Sequence, residues 1–312
     1  MYPCDLHTHT TRSDGHLTPV ESIKRAGQSG LKVQAITDHD VTLPLYYEEE
    51  GKKINLEEFA AENGVELVRG IEISCDTNNE DVHLIGLFCD WDAPEFRTLE
   101  EWVRKSRTES YREIVKRLFQ SGYQVSWDEL LVYAGKEEKP DGILKKELYE
   151  YLASKGYVKS WLDGKKLIQS HPELSVDREK PDPVETIHML HKTGGIVIQA
   201  HPFLVKEEPY YRGKSMSRYA YMDMLVEAGL DGIEACYTYD KTSYTGTLSK
   251  EEIENLVKKR YANAGVFFSG GSDFHGDFKK GLPNPRELGE CGVSYEYYCQ
   301  YIKKPGSAKK IL

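Results

Sequence analysis

His7 and His9 sit one residue apart at the end of a short apolar run, and Asp14 follows after a turn rich in Thr and Ser. Alternate side chains of a strand point to the same face, so the two imidazoles of a His-x-His can grip one metal ion. The pair has company further along the chain: Thr37-Asp38-His39-Asp40, Gly70-Ile71-Glu72, His83, Ala200-His201-Pro202 and Ser272-Asp273-Phe274-His275. Each reads as lying at the C-terminal end of an apolar, strand-like run. Together they nominate His7, His9, Asp14, His39, Glu72, His83, His201, Asp273 and His275 as metal ligands. All offer N or O donors and none is a thiolate, which suits Mn²⁺, Zn²⁺ or Fe²⁺ in a hydrolytic site better than a structural zinc site. The set is too large for one ion and fits about three, with one carboxylate bridging. Of the 10 histidines, six stand at these predicted strand ends, which random placement rarely produces. His16, His171, His188 and His191 fall in helical or loop contexts; the i, i+3 pair His188 and His191 is the weaker metal candidate.

A cluster at strand ends needs strands to carry it. Strand-like runs at 2–7, 33–37, 66–74 and 82–88 alternate with helical patterns at 19–30 and 56–63. Thr18 with Pro19 reads as a helix start, and Gly64 as a helix stop. The alternation resumes after residue 180: helix 183–192, strand 196–199, helix 215–228, strand 232–235, helix 249–262 and strand 266–269. This order predicts an α/β fold with a mainly parallel sheet, open or closed into a barrel. In such a barrel, functional side chains gather at the C-terminal ends of the strands. Residues 95–182 show only helical patterns, at 95–121, 127–134, 143–155 and 160–169. They are expected to form a helical subdomain, 96–182, inserted into a barrel made of 1–95 and 183–312 and serving as a substrate-binding lid.

Bulk properties narrow the function classes. With 39% hydrophobic and 29% charged residues, and no apolar run near the ~18 residues a span needs, a membrane protein is excluded. A net charge of −10 argues against a sequence-independent grip on long nucleic acid. The N-terminus opens on the metal motif without a signal-peptide pattern, so a cytoplasmic location is expected. The 6 cysteines show no C-x-x-C spacing and read as buried, reduced thiols. The oligomeric state is not encoded in any pattern found.

Asp5-Leu6-His7-Thr8-His9-Thr10, Ser13-Asp14-Gly15, Thr37-Asp38-His39-Asp40, Gly70-Ile71-Glu72-Ile73-Ser74, His83-Leu84-Ile85-Gly86, Ala200-His201-Pro202 and Gly271-Ser272-Asp273-Phe274-His275-Gly276 together resemble the polymerase-and-histidinol-phosphatase (PHP) family. The resemblance implies a distorted (β/α)7 barrel that binds three divalent metals. Carried over by position, it gives one metal to His7, His9, Glu72 and Asp273. A second goes to Glu72, His83 and His201, and a third to Asp14, His39 and His275. Every ligand position is filled by a competent residue, as a catalytic copy requires. A water or hydroxide held between such cations has its pKa lowered toward neutrality and becomes a nucleophile. Charge building on the phosphoryl group is neutralised. Glu72, Asp273 and His201 are read as the ligands nearest this chemistry. No general acid stands out; Asp38, Asp40 and His16 are near in sequence, and Asp38 and Asp40 could equally accept hydrogen bonds from ligand imidazoles.

The basic residues address the substrate, since phosphate recognition usually wants Arg or Lys. The first inserted helix offers Arg104, Lys105, Arg107 and Arg112, and a later one Lys145 and Lys146. In nucleotide-cleaving relatives this first helix carries spaced arginines that face the phosphate. Arg107 fits one such position, and Ser110 takes the next. Gly156-Tyr157-Val158 is kept, while Lys145-Lys146-Glu147 stands where an Arg-Pro-His is usual. The loop 276–289, with Lys279, Lys280 and Arg286 and ending in Leu288-Gly289, is similar to one in relatives acting on phosphoribose-type esters, cyclic ones included. Arg107, Lys145, Arg104 and Lys279 are therefore nominated to bind the substrate phosphate. The expected activity is metal-dependent hydrolysis of a small organic phosphate, first a nucleotide or sugar phosphomonoester. A cyclic phosphoribose diester comes next, then histidinol phosphate. A polymerase scaffold module and a carbon–nitrogen hydrolase are the rivals from other classes.

Overall fold

A computed structural model of the chain describes residues 1–79 and 81–303. Seven strands form one sheet: β1 (Cys4–Thr8), β2 (Val33–Ile36), β3 (Glu66–Ser74), β4 (His83–Leu87), β5 (Ile196–Gln199), β6 (Gly232–Cys236) and β7 (Phe267–Gly270), adjacent in chain order. β1–β2, β2–β3, β5–β6 and β6–β7 pair parallel. A parallel bridge from Thr8 to Phe274, with His9 N donating to Phe274 O at 2.8 Å, brings the two edges together. The result is a mixed α/β fold around a nearly closed, barrel-like sheet.

β4 departs from the parallel pattern and runs antiparallel to both β3 and β5. The reason is covalent: only residues 75–82 join β3 to β4, and a parallel crossover needs a dozen or more residues. His83 therefore opens its strand, rather than closing it as expected from sequence. Because the strand is inverted, its first residue reaches the same rim as the C-terminal ends of its neighbours.

Helices α1 (Pro19–Gln28) and α2 (Leu56–Glu62) cover β2 and β3. Thr18 and Glu21 form a reciprocal cap on α1, and Asn55 caps α2. Their apolar faces bury Ile23, Ala26, Leu56 and Ala60 against Ile36. The chain divides into two compact units, Met1–Arg97 with Pro181 onward, and Thr98–Lys180. The second unit is built from α3 (Pro94–Gln120) from Thr98 onward, α4 (Trp127–Ala134), α5 (Lys145–Ser154) and α6 (Trp161–Ser170). It has its own core, in which Ile114, Leu118, Leu130, Leu148 and Leu152 are fully buried. Back in the first unit lie α7 (Pro183–Lys192), α8 (Arg218–Glu227) and α9 (Lys250–Tyr261).

The end of the barrel away from the site is closed by residues 295–303. Tyr298 and Ile302 are fully buried against Cys4, Val33, Ile196 and Phe267, residues near the starts of parallel strands. Each such side chain contributes about 1.5–3 kcal/mol of burial. Tyr298 Oη also donates to Glu66 Oε1 at 2.8 Å. Two hairpins escaped the sequence reading, Tyr46–Glu49 with Lys52–Asn55 and Tyr210–Tyr211 with Lys214–Ser215. Their turns place Glu50-Gly51 and Arg212-Gly213 at positive φ, where Asn or Asp is the usual signal before Gly. The six cysteines form no disulfide, and five of them are buried. No helix among the described residues is long and apolar enough to cross a membrane.

Candidate metal centre

The barrel rim collects the nominated ligands from six strands or the segments that follow them. His7 lies in β1 and His9 just beyond it; His39 follows β2, Glu72 is in β3, His83 opens β4, His201 follows β5, and Asp273 and His275 follow β7. Asp14 comes from the Thr/Ser-rich turn. His201 and Asp273 adopt positive φ, 27° and 52°. Non-glycine residues in that region cost about 1–3 kcal/mol each and persist where surrounding contacts hold them.

Glu72 is the hub. Its Oε2 lies 3.1 Å from His7 Nε2, His9 Nε2 and His39 Nδ1. Its Oε1 lies 2.9 Å from His83 Nδ1 and 3.0 Å from His201 Nε2. Asp273 Oδ1 stands 3.1 Å from His9 Nε2 and 3.4 Å from His7 Nε2. His275 Nε2 meets Asp14 Oδ1 at 3.1 Å. Donor atoms fall within 4.8 Å of one another in three groups: His7, His9, Glu72 and Asp273; His9, Asp14, His39 and His275; and His39, Glu72 and His83. His201 reaches His83 at 3.2 Å as well as Glu72. The structure thus brings all nine nominated residues to one place, with His9 and His39 each shared between groups.

The donors suit cations. Glu72 Oε2 and His39 Nδ1 are buried without any hydrogen-bond partner, although they face each other at 3.1 Å. Such orphaned buried atoms are costly, and an ion between them would satisfy both. The ring nitrogens of His7 and His9 approach to 3.1 Å, a spacing that needs a proton or cation between them. Electrostatics agree. Burial disfavours charge on His7, but Glu72, Glu234 and Asp273 outweigh it and raise its pKa well above the ordinary value. Against the same burial, Asp273 and Glu72 raise His9 to about 10. Burial pulls His39 down to about 4. Glu72, despite its burial, is held well below the carboxylate range by His7, His39, His83 and His201. Protons on imidazole here occupy positions that divalent cations would take.

A supporting layer fixes the nominated residues. Buried Glu234, in β6, accepts from His7 Nδ1 at 3.1 Å and from the His201 backbone N–H at 2.8 Å. Sequence reasoning passed over it, although a lone carboxylate inside an apolar strand is the same signal that picked out Glu72. Asp38, weighed as an acceptor for ligand imidazoles, instead accepts from Thr10 N, Thr10 Oγ1 and Ser13 Oγ. It shapes the turn that carries Asp14. Asp40 accepts from the Ser74 backbone N–H and hydroxyl. Asp5 accepts from Ser272 N and Oγ and from Gly289 N; burial outweighs these bonds and pushes its pKa up to about 6. His16 N donates to His275 O at 2.8 Å, locking the motif that follows β7. His191, a distant metal candidate, pairs with Asp231 at 2.7 Å.

A cavity of about 270 Å³ opens over the hub. Besides seven of the nominated ligands it is lined by Tyr237, Lys241, Lys280 and Arg286, among others. Lys279, nominated for phosphate, does not line it; the side chain lies exposed, 3.5 Å from Glu21, and the adjacent Lys280 faces the cavity instead. Both lie in the short helical turn Asp277–Lys280, whose successive residues point in different directions. Lys241 and Tyr237 were not foreseen. In the second unit, Arg104 stands 3.6 Å from Asp141, Arg107 Nε is buried without a hydrogen-bond partner, and Lys145 opens α5.

Comparison with known proteins places this geometry. The PHP domain pattern matches residues 5–172. A 5'-3' exoribonuclease of Haemophilus influenzae is 32% identical over 202 residues, 64% of this chain and 68% of the relative. A 3',5'-nucleoside bisphosphate phosphatase of Chromobacterium violaceum is 26% identical, covering 88% of both chains. A phosphoribosyl 1,2-cyclic phosphate 1,2-diphosphodiesterase of Eggerthella lenta is 27% identical over 88% of this chain and 94% of its own. Among solved structures, a protein of Bifidobacterium adolescentis described as a candidate metal-dependent phosphoesterase superposes with a TM-score of 0.68 at 25% identity. That match covers 97% of this chain and 96% of the other. The chain belongs to the PHP-domain family and is a metal-dependent hydrolase of phosphate esters.

Proposed function

We propose that the substrate is a small ribose phosphate of the nucleotide class, hydrolysed as a phosphomonoester at a cluster of three divalent cations. The observation that carries this reading is Glu72, one buried carboxylate ringed by five imidazoles beneath a cavity that also holds Lys241, Lys280 and Arg286. On this reading His7, His9, Glu72 and Asp273 hold one cation, Glu72, His83 and His201 a second, and Asp14, His39 and His275 a third. Glu72, Asp273 and His201 stand nearest the reacting phosphate. When bound, Mn²⁺, Zn²⁺ or Fe²⁺ supplies Lewis acidity toward phosphoryl oxygens and lowers the pKa of water.

The chain's own residues do the rest. Glu234 holds His7 and the His201 backbone in place, and Lys280 and Lys241 offer positive charge to the substrate phosphate. Each lysine already has a carboxylate partner, Asp277 at 3.1 Å and Glu290 at 2.6 Å, so an incoming phosphate must share it. A cytoplasmic setting fits such a substrate.

The ribose-phosphate class is supported by what the relatives' names have in common. A nucleoside bisphosphate, a cyclic phosphoribose and RNA all carry phosphate esters on ribose. The two relatives with small substrates align over 88% of this chain, the exoribonuclease over 64%, which favours a small substrate. A second reading, processing of RNA 5' ends, draws on the 32% identity to the exoribonuclease. Assays with Mn²⁺ separate these when each follows its own product: released phosphate from nucleoside 3',5'-bisphosphates and nucleoside monophosphates, the ring-opened phosphomonoester from a cyclic phosphoribose, and released mononucleotide from a short 5'-phosphorylated RNA. Fastest turnover is expected with a nucleotide monoester. Preference for the cyclic ester or the RNA would reassign the substrate, and no turnover of any would defeat the proposal.

A further inference from the structure

Asp273 is held on its outer side by two donors that no ligand assignment explains. Tyr237 Oη donates to Asp273 Oδ2 at 2.7 Å, and Arg286 Nη1 donates to the same oxygen at 2.6 Å. The other oxygen, Oδ1, faces the imidazoles of His7, His9 and His275 at 3.1–3.4 Å. Arg286 does more than touch Asp273: its Nε donates to Asp277 Oδ2 at 2.7 Å, so one rigid guanidinium fork spans two aspartates. The arrangement is enclosed, with side-chain exposures of 13% for Arg286, 10% for Asp273 and 4% for Asp277. A buried guanidinium demands partners, and these two aspartates supply them.

We propose that Arg286 and Tyr237 are positioning residues that reserve Oδ2 of Asp273, so that the carboxylate offers a single oxygen to the cation cluster. The inference rests on the metal-dependent reading above and assigns Arg286 to the metal centre rather than to the substrate phosphate. Two features favour that assignment. Asp273 sits at φ 52°, a conformation that must be held from outside to persist, and Arg286 and Tyr237 hold it. Two of the guanidinium nitrogens already bind aspartates, Nη1 to Asp273 and Nε to Asp277, which fixes the fork on the ligand carboxylate. The link through Asp277 also couples the ligand to the loop 276–289. Lys280 pairs with the same Asp277, and Arg25 fastens that loop at Glu287. Groups that orient a ligand in this way typically carry about 10–100-fold in metal affinity or activity.

The test uses the full chain stripped with EDTA and titrated with Mn²⁺, free Mn²⁺ being read by electron paramagnetic resonance. Arg286→Met is expected to weaken Mn²⁺ binding by about 10–100-fold and Tyr237→Phe by about tenfold. Arg286→Lys should fall between Arg286→Met and the unaltered chain, because an ammonium keeps the charge but cannot span both aspartates. At saturating Mn²⁺ the KM of Arg286→Met should stay within about twofold of the unaltered chain. An unaltered isotherm with a raised KM would overturn the inference and make Arg286 a substrate contact. Circular dichroism of the stripped variants checks folding. If Arg286→Met does not fold, Tyr237→Phe, which removes one hydroxyl, decides: an isotherm equal to that of the unaltered chain overturns the inference. An unaltered chain that takes up no Mn²⁺ would overturn the metal reading itself, and this inference with it.

Discussion

Gly271 gives the most quantitative handle on the metal centre. It follows β7 and backs directly onto β1: a Cβ there would stand 2.3 Å from His7 Cβ, 2.7 Å from His7 N and 2.9 Å from His7 Cα. Ordinary contact begins near 3.4 Å, so Gly271→Ala forces about 1 Å of separation between the β7 end and His7. The obstacle is backbone and Cβ, with no flexible side-chain tip to swing aside. Overpacking of this kind costs about 1–3 kcal/mol of stability. A shift of about 1 Å at a ligand costs on the order of 100-fold in turnover. The two effects separate experimentally. Urea unfolding of the EDTA-treated chain reads the packing cost, and phosphate release at saturating Mn²⁺ reads the displacement of His7. The expected variant is folded, about 1–3 kcal/mol less stable, and about 100-fold slower. Unchanged turnover and Mn²⁺ uptake would refute the claim that His7 is a ligand whose position is set by β7.

Glu72→Gln keeps the shape of the hub but removes its charge from the two groups that contain it. It should remove more than one bound ion at once, read by metal analysis after gel filtration; loss of a single ion would contradict the bridging role. Asp182 caps α7, accepting from Val184 N and Glu185 N, and binds Tyr211 and Arg212 through its other oxygen. Burial raises its pKa, but Tyr211, the helix N–H groups and Arg212 outweigh that and lower it. Its contribution is therefore fully present above the ordinary carboxylate pKa and lost as pH falls through the lowered folded value. Asp182→Ala should cost about 1–2 kcal/mol at pH 7, with a gap that narrows as pH falls below the ordinary carboxylate range; a gap independent of pH would contradict the charged cap. Lys280→Ala should raise KM about tenfold with little change in Mn²⁺ uptake. A Lys280→Ala effect confined to metal binding would contradict its phosphate role.

Much of this was legible in the chain. All seven strands of the main sheet follow from apolar runs of four to nine residues, separated by helical patterns everywhere but between β3 and β4, because local periodicity and cap chemistry dictate both. The gathering of His and acidic residues at one rim was legible because they interrupt otherwise apolar runs at strand ends. What stayed hidden depended on tertiary placement. The inversion of β4 lies in the length of its connection, not in its composition. Glu234 carried the same signal as Glu72, a carboxylate inside an apolar run, and was passed over, whereas nothing local marks Tyr237 as a partner of Asp273. Lys279 and Lys280 are adjacent in sequence, so only the turn at Asp277 decides which faces the cavity. The plug formed by Tyr298 and Ile302 comes from a segment whose short apolar pieces carry no clear period.

The most direct test of the central claim is the metal content of the purified chain after equilibration with Mn²⁺ and removal of free metal, set beside phosphate release before and after EDTA. The account predicts three ions per chain, with hydrolysis abolished by EDTA and restored by Mn²⁺. Fewer than two ions per chain, or hydrolysis that survives complete removal of metal, would contradict it.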